Sequence, residues 1–259
     1  MNNTSVLLYS SGLDSYFAHE YLVAHNQDFD RLYFNHGGKY CEHELKKIKN
    51  LPFVVTITND IQLKDVERED SFIPNRNMLF TMMANSYGYE KVWIGGTKSD
   101  RVNDNNKEVF DSVSKFLTNM NGKYFIATSP FWDVYKTDVI QWFLNRREYN
   151  ILDVAKELLT YTFSCYNPEN KERESNYFIK SGFEDKSYPY LTEECLNCSA
   201  CFRKNVELFS IGVFIPFKNN FIIERYLTEI DFAIQFNNIR MEATLRYIKE
   251  LKKRDSSKK

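Results

Sequence analysis

The sequence predicts an α/β fold built on a mostly parallel sheet, and three observations carry that reading. The chain opens with an apolar run, Val6 to Tyr9, which breaks at Ser10-Ser11-Gly12 and resumes as a helical stripe of Phe17, Tyr21 and Leu22. Short apolar runs then alternate with helical stretches as far as about residue 160. Four loops, 10–15, 36–39, 96–100 and 130–136, fall where the strands of that alternation end. In parallel sheets the carboxyl ends of strands are where ligands collect.

In chain order, 6–9 reads as a buried central strand, because such a strand needs apolar side chains on both faces. A helix begins at Leu13. The run 31–35 is a second strand, 42–49 a charged surface helix and 53–57 a third strand. Pro74-Asn75-Arg76-Asn77 introduces a helix over 78–86, followed by a strand over 91–95 and a polar loop over 96–107. A helix over 108–120, a strand over 124–128 closed by Pro130, and helices over 138–147 and 151–160 complete the alternation. It then stops and cysteines appear. The division expected is an α/β domain over 1–160, a loop-rich cysteine segment over 161–209 and a helical extension over 210–259. Ile223, Leu227, Ile230, Ile234, Met241, Leu245, Ile248 and Leu251 give that extension its packing stripe. A solvated, disordered tail is expected from Lys252.

Composition narrows the function classes. Hydrophobic residues at 43% and charged residues at 27% over 259 residues suit a globular chain with a substantial core. A net charge of −1 leaves no basic footprint for nucleic acid or an anionic membrane. No apolar stretch approaches the roughly 20 residues of a membrane span, and the first residues carry no leader signature. The expectation is a cytoplasmic protein acting on small molecules, with a homodimer as an open alternative. In a reducing compartment the five cysteines read as ligands or free thiols.

The turn at 10–15 has two readings on spacing alone. Strand, small-residue turn and helix point free N–H groups and a positive dipole end at one spot, which suits a phosphate. Gly12 leaves room for the anion, and Ser10, Ser11 and Ser15 offer hydroxyls. Alternatively, Asp14 or Ser15 merely caps the helix. No Lys follows the glycine as in a P-loop, and the three glycines of a dinucleotide fingerprint are absent.

Cys195, Cys198 and Cys201 lie within seven residues, a clustering that core packing does not produce. Two successive two-residue spacers let three thiolates face one ion, and Cys165 can supply the fourth. Four cysteines with no open position predict a structural zinc site; an iron–sulfur cluster is the competing reading. Cys41, far off in sequence, reads as a buried thiol.

The turn resembles the SGGxDS loop of the ATP-pyrophosphatase superfamily, with Ser11 in place of the first glycine. Together with the cysteines it resembles one of its families, the 7-cyano-7-deazaguanine synthases, in order over about residues 5–208. Residues 71–80, Ser-Phe-Ile-Pro-Asn-Arg-Asn-Met-Leu-Phe, are similar to that family's FVPGRN segment. Ile94-Gly95-Gly96 with Asp100 and Phe110, Ser129-Pro130 with Lys136, Thr162 to Tyr166, and Cys195 to Lys204 resemble four further segments. The resemblance implies a Rossmann-like, adenine nucleotide alpha hydrolase-like domain with a zinc-binding loop region. The activity it implies is that of a C–N ligase using ATP with Mg²⁺. Such a ligase converts 7-carboxy-7-deazaguanine and ammonia to the nitrile through an activated carboxylate and an amide.

By the same resemblance, Tyr9, Ser10, Ser11, Gly12, Leu13, Asp14 and Ser15 would contact ATP. Asp14, Lys98 and Lys136 would serve catalysis, and Arg76, Asn77 and Asp100 would contact substrate. For Arg76, Asn77, Lys98 and Lys136 a capping or surface ion-pair role stands beside the implied one.

Departures are local. The family's YGQRHxxE stretch is replaced by His36-Gly37-Gly38-Lys39-Tyr40-Cys41-Glu42-His43-Glu44, the glycine before its Arg-Asn is Asn75, and its YPDCR stretch is replaced by residues 103–107. They motivate one alternative, a related ligase that stops at the amide or passes the acyl group to another amine such as a protein; a second is a non-catalytic nucleotide-binding protein whose functional surface is the helical extension.

Overall fold

In the computed structural model, which describes residues 4–69, 71–98, 105–146, 150–169, 171–181, 184–233 and 239–256, the first apolar run becomes β1 (Ser5–Leu8). It lies at the centre of a five-stranded parallel sheet, between β2 (Asp30–Phe34) and β4 (Lys91–Trp93). β3 (Thr56–Thr58) and β5 (Ile126–Thr128) form the edges, giving the order β3-β2-β1-β4-β5. Helices α1 (Leu13–Ala24), α2 (Cys41–Lys49), α3 (Arg76–Ser86) and α4 (Lys107–Asn121) connect the strands. The fold is thus α/β, as the alternation predicts, and Rossmann-like, as the resemblance implies.

The core explains why these runs settle here. Val6, Leu32, Phe34, Val92, Ile94 and Ala127 from the sheet region pack with Ala84 of α3 and Phe110, Val113 and Leu117 of α4. Their spacing along α4, at three and four residues, puts all three on one face. The third strand departs from expectation. The apolar run 53–57 yields a ladder only over Thr56–Thr58, paired to Leu32, Tyr33 and Phe34. Phe53 leaves the strand direction to stack on His19 at 3.7 Å, and Val54 stays 83% exposed. Core packing overrides strand propensity at this edge.

The chain divides into two compact units, Met1–Val134 with Tyr161–Phe163 and Tyr135–Thr160 with Ser164–Lys259. The second unit holds α5 (Lys136–Arg146) and most of α6 (Ile151–Tyr161), which the sequence reading places with the sheet. α5 packs on helices of its own unit, α7 (Ser199–Ser210) and α9 (Ile239–Ser256).

Between Cys165 and Cys195 the expected loop is instead an antiparallel hairpin, β6 (Arg173–Ser181) with β7 (Glu184–Thr192), extended by β8 (Val213–Phe214). Pro189 within β7 and the polar flanks conceal it in the sequence; β7 is an edge strand, where a missing N–H is tolerated.

The extension is helical as expected, in α8 (Asn220–Ala233) and α9, with Ile223, Ile248 and Leu251 buried. Tyr247, outside the predicted stripe, is fully buried and donates to the Ile215 carbonyl. Lys252, expected to begin a disordered tail, lies inside α9, which continues to Ser256. Ile234 lies outside the described residues. Among the described residues no helix is long and apolar enough to cross a membrane.

Candidate active site and metal centre

In the first unit the chain leaves β1 toward β2 and leaves β4 toward β5, so the switch point of the sheet lies between β1 and β4. Residues 10–15 sit at that point. Ser15 closes the turn: its Oγ accepts the Ser10 N–H at 3.2 Å, donates to the Gly12 carbonyl at 3.0 Å and lies 3.3 Å from Ser10 Oγ. Gly12 is the N-cap of α1 and brings no side chain of its own to cap it. Such a helix start presents N–H donors and a positive dipole end to the turn.

Ser11 has φ +56°, in the left-handed region, and is fully buried. Its carbonyl accepts the Phe163 N–H at 2.9 Å, while its Oγ has no hydrogen-bond partner among the described residues. A glycine at this place in the resembled loop has a backbone reason, since a left-handed L-residue costs roughly 1–2 kcal/mol. Across the crevice Gly95 approaches the start of α1 so closely that a Cβ would lie 2.7 Å from the Asp14 carbonyl carbon and 2.8 Å from the Ser15 nitrogen. No larger residue fits there without moving main chain.

The remaining expectations for this unit fall out as follows. Tyr9 and Leu13 are core residues, each 2% exposed. The Tyr9 ring packs edge-on against Phe53 at 5.6 Å, and burial pushes its hydroxyl far above the phenol range. Their side chains are taken up by the core, which leaves their main chain for the turn. Asp14 sits half-buried in the first turn of α1. Lys98 is exposed, and its N–H donates to the Val134 carbonyl at 3.0 Å. Asp100 lies outside the described residues.

Arg76 opens α3 after Asn75, which is left-handed at φ +58°. Both positions where a glycine of the resembled motifs is replaced, 11 and 75, are thus left-handed ones. Arg76 donates to the Tyr40 hydroxyl. Burial and the Arg76 charge press the His36 imidazole down to about 4. Burial pushes Glu44 up to about 7, against the opposing pull of the Tyr33 hydroxyl at 2.8 Å and of Arg76. The stretch that departs from the family is therefore a buried cluster at the end of β2. Gly38 belongs to it: a Cβ there would lie 2.6 Å from the His36 ring. Asn77 follows Arg76, and its carbonyl accepts the Thr81 hydroxyl at 2.8 Å. Cys41 is buried, as expected, and burial raises its thiol.

In the second unit the four predicted cysteines converge. Their Sγ atoms all lie within 4.8 Å of one another, with Cys198–Cys201 at 3.5 Å and Cys195–Cys201 at 4.0 Å. A tetrahedral ion with metal–sulfur bonds near 2.3 Å sets thiolates about 3.8 Å apart, so the quartet fits one zinc-like ion. A cluster of several irons needs wider spacing. Backbone donors support the sulfurs: the Cys195 and Asn167 N–H groups reach Cys165 Sγ at 3.2 and 3.3 Å, Asn197 reaches Cys195 at 3.4 Å and Cys201 reaches Cys198 at 3.5 Å. Hydrogen bonds from neighbouring thiols, Cys165 first, push Cys198 far below the ordinary thiol range. Cys165 and Cys201 are pushed above it by bonds to Cys195 and Cys165 respectively. Metal binding needs thiolates, so the affinity of this set depends on pH.

Lys136, predicted as a catalytic cation, begins α5 and pairs at 3.4 Å with buried Glu207 of α7. Glu207 and Glu194 escaped sequence reading because nothing in their local spacing distinguishes a buried charge from a solvated one.

The pattern of the family described as queuosine biosynthesis protein QueC matches residues 54–210, more than half of the chain. The chain is 24% identical over 202 residues to a 7-cyano-7-deazaguanine synthase of Marinomonas sp. (strain MWYL1), covering 66% of this chain and 87% of that one. It is 23% identical over 208 residues to the enzyme of that name from Methanobrevibacter smithii, with the same coverage. With 7-cyano-7-deazaguanine synthase 1 of Desulfitobacterium hafniense it shares 22% over 233 residues, 78% of this chain and 90% of that one.

Proposed function

The chain belongs to the QueC family of queuosine biosynthesis proteins, and on that premise we propose that it is an ATP-dependent synthase acting on a 7-deazaguanine carboxylate. The observation that carries the reading is the glycine-capped start of α1 behind residues 10–15, at the switch point of a parallel sheet. The Gly12 approach, the α1 N–H groups and the Ser10 and Ser15 hydroxyls would hold the phosphates, with Asp14 steadying the turn or a Mg²⁺ ion. A carboxylate is a poor electrophile. Transfer of AMP to its oxygen, with release of pyrophosphate, makes that oxygen a leaving group. Ammonia displaces AMP to give 7-amido-7-deazaguanine. A second ATP adenylates the amide oxygen with release of pyrophosphate. Loss of AMP, carrying that oxygen, together with the two amide protons gives the nitrile. Lys98 is assigned to charge developing on phosphate, and Arg76, Asn77 and Asp100 to the base. Cys165, Cys195, Cys198 and Cys201 would hold zinc, which supplies a structural cross-link between distant stretches of chain.

The buried His36–Tyr40–Arg76 cluster, where the family carries Gln and Arg, favours a second reading in which the acyl group stops at the amide or passes to another amine. One assay separates them. Purified protein is incubated with 7-carboxy-7-deazaguanine, ATP and ammonia, and products are followed by mass spectrometry. Nitrile supports the synthase, amide alone supports the second reading, and no consumption of ATP or base removes both.

A further inference from the structure

The cysteine quartet is delivered by three separate stretches of chain, around Cys165, around Cys195 and Cys198, and along α7 from Cys201. A single carboxylate oxygen meets all three. Glu194, the residue before Cys195, is 3% exposed. Its Oε1 accepts the N–H of Ser164, the residue before Cys165, at 2.7 Å. The same Oε1 accepts Lys204 Nζ, three residues past Cys201 and 2% exposed, at 2.9 Å. The Glu194 backbone is fixed as well. Its N–H donates to Thr192 Oγ1 at 3.0 Å, and Arg173 of β6 donates to the carbonyls of Glu194 and Cys195 at 3.2 and 2.7 Å.

A carboxylate beside four thiolates is electrostatically adverse unless cations are built in with it, and an unpaired buried charge is strongly destabilising. Lys204 is the cation paired with that carboxylate, while Arg173 pairs with Glu169 and bonds only the main chain here. Because the hydrogen bonds of Glu194 run to the residues flanking the ligands rather than to the sulfurs, the carboxylate acts on the spacing of the thiolates.

We propose that Glu194 is the positioning residue of the cysteine metal centre: through Ser164 and Lys204 it holds the three stretches in register so that the four thiolates are preassembled for one ion. This rests on the reading of the quartet as a metal site. Outer partners of this kind contribute about 10–100-fold to metal affinity when removed.

The test is a competition titration of the full chain against a chromophoric zinc chelator, with the cobalt(II) spectrum reporting the thiolate set. Glu194→Ala should weaken zinc binding at least about 10-fold while the bound cobalt keeps a four-thiolate spectrum. Glu194→Gln, which keeps the acceptor for Ser164 but not the charge for Lys204, should fall between. Leu158→Ala, a core truncation in α6 of the same unit, serves as the comparison for general destabilisation. It should lower the unfolding midpoint and leave zinc affinity unchanged. Should the Ala variant not fold, the Gln variant alone decides. Wild-type affinity in the Glu194 variants, or an equal loss in Leu158→Ala, overturns the proposal. Failure of the wild type itself to bind zinc overturns the metal reading and the proposal with it.

Discussion

At residues 10–15 the chain makes its candidate anion site from main chain and three hydroxyls, whereas at the cysteine quartet it uses side chains carried in from three stretches and locked by a buried Glu194–Lys204 pair. The first depends on backbone shape: a glycine-capped helix, a left-handed Ser11 and a close approach by Gly95. The second depends on chemistry, because four thiols come together only where an ion or a reserve of hydrogen bonds offsets their crowding. Backbone-built sites tolerate changes of side chain and fail on added bulk; side-chain-built sites tolerate bulk nearby and fail on loss of one ligand.

The sharpest way to break this comparison is to remove one sulfur. Cys198→Ser should abolish stoichiometric zinc in elemental analysis and unfold the second unit early. The loss is expected on the order of 10 kcal/mol of binding energy coupled to folding. Iron in place of zinc, with visible absorption, would revise the metal. The first unit's chemistry should be less exposed to this change, so retained ATP binding by the variant would sharpen the contrast.

Next in size is a pH effect confined to the β2 end. Glu44 rises from 4.5 to about 7, so the fold holds it protonated. The stability it adds is present below pH 4.5 and lost as pH rises through 7, about 3 kcal/mol in all. His36 falls from 6.5 to about 4, so its contribution is present above pH 6.5 and is lost as pH falls through 4. Between pH 4.5 and 6.5 the two oppose each other. Glu44→Gln should leave the His36 dependence alone, with the urea midpoint climbing from pH 4 to 6.5 and then level. An unchanged profile would remove Glu44 as its source.

A methyl group at Gly95 presses on main chain at Asp14 and Ser15. Gly95→Ala should cost about 1–3 kcal/mol and weaken ATP binding about 10-fold by calorimetry. An equivalent affinity would detach the crevice from nucleotide binding. The smallest effect runs the other way. Ser11→Gly relieves a left-handed serine and should raise stability by about 1 kcal/mol, read from the denaturant midpoint.

The sheet was legible because period and alternation are local: Val6–Leu7, Leu32–Phe34 and Val92 announce buried strands within a few residues. The hairpin of β6 and β7 was not, since Pro189 and polar neighbours carry no strand pattern and its pairing is set by tertiary contacts with β8. The helices of the extension were legible, but Tyr247, which bonds the Ile215 carbonyl, falls off the stripe that predicts them.

By itself the sequence determined the α/β order, the position of the turn at 10–15 and the identity of the four cysteines, because these follow from periodicity, small residues and clustered thiols. Tertiary structure alone decided that Ser11 is left-handed, that Gly95 touches the start of α1, that Lys136 is paired with Glu207 and that Glu194 joins the ligand stretches. The physical reason is range. Propensity acts over a turn or two of chain, while burial of a charge and close approach of backbones depend on residues tens of positions away.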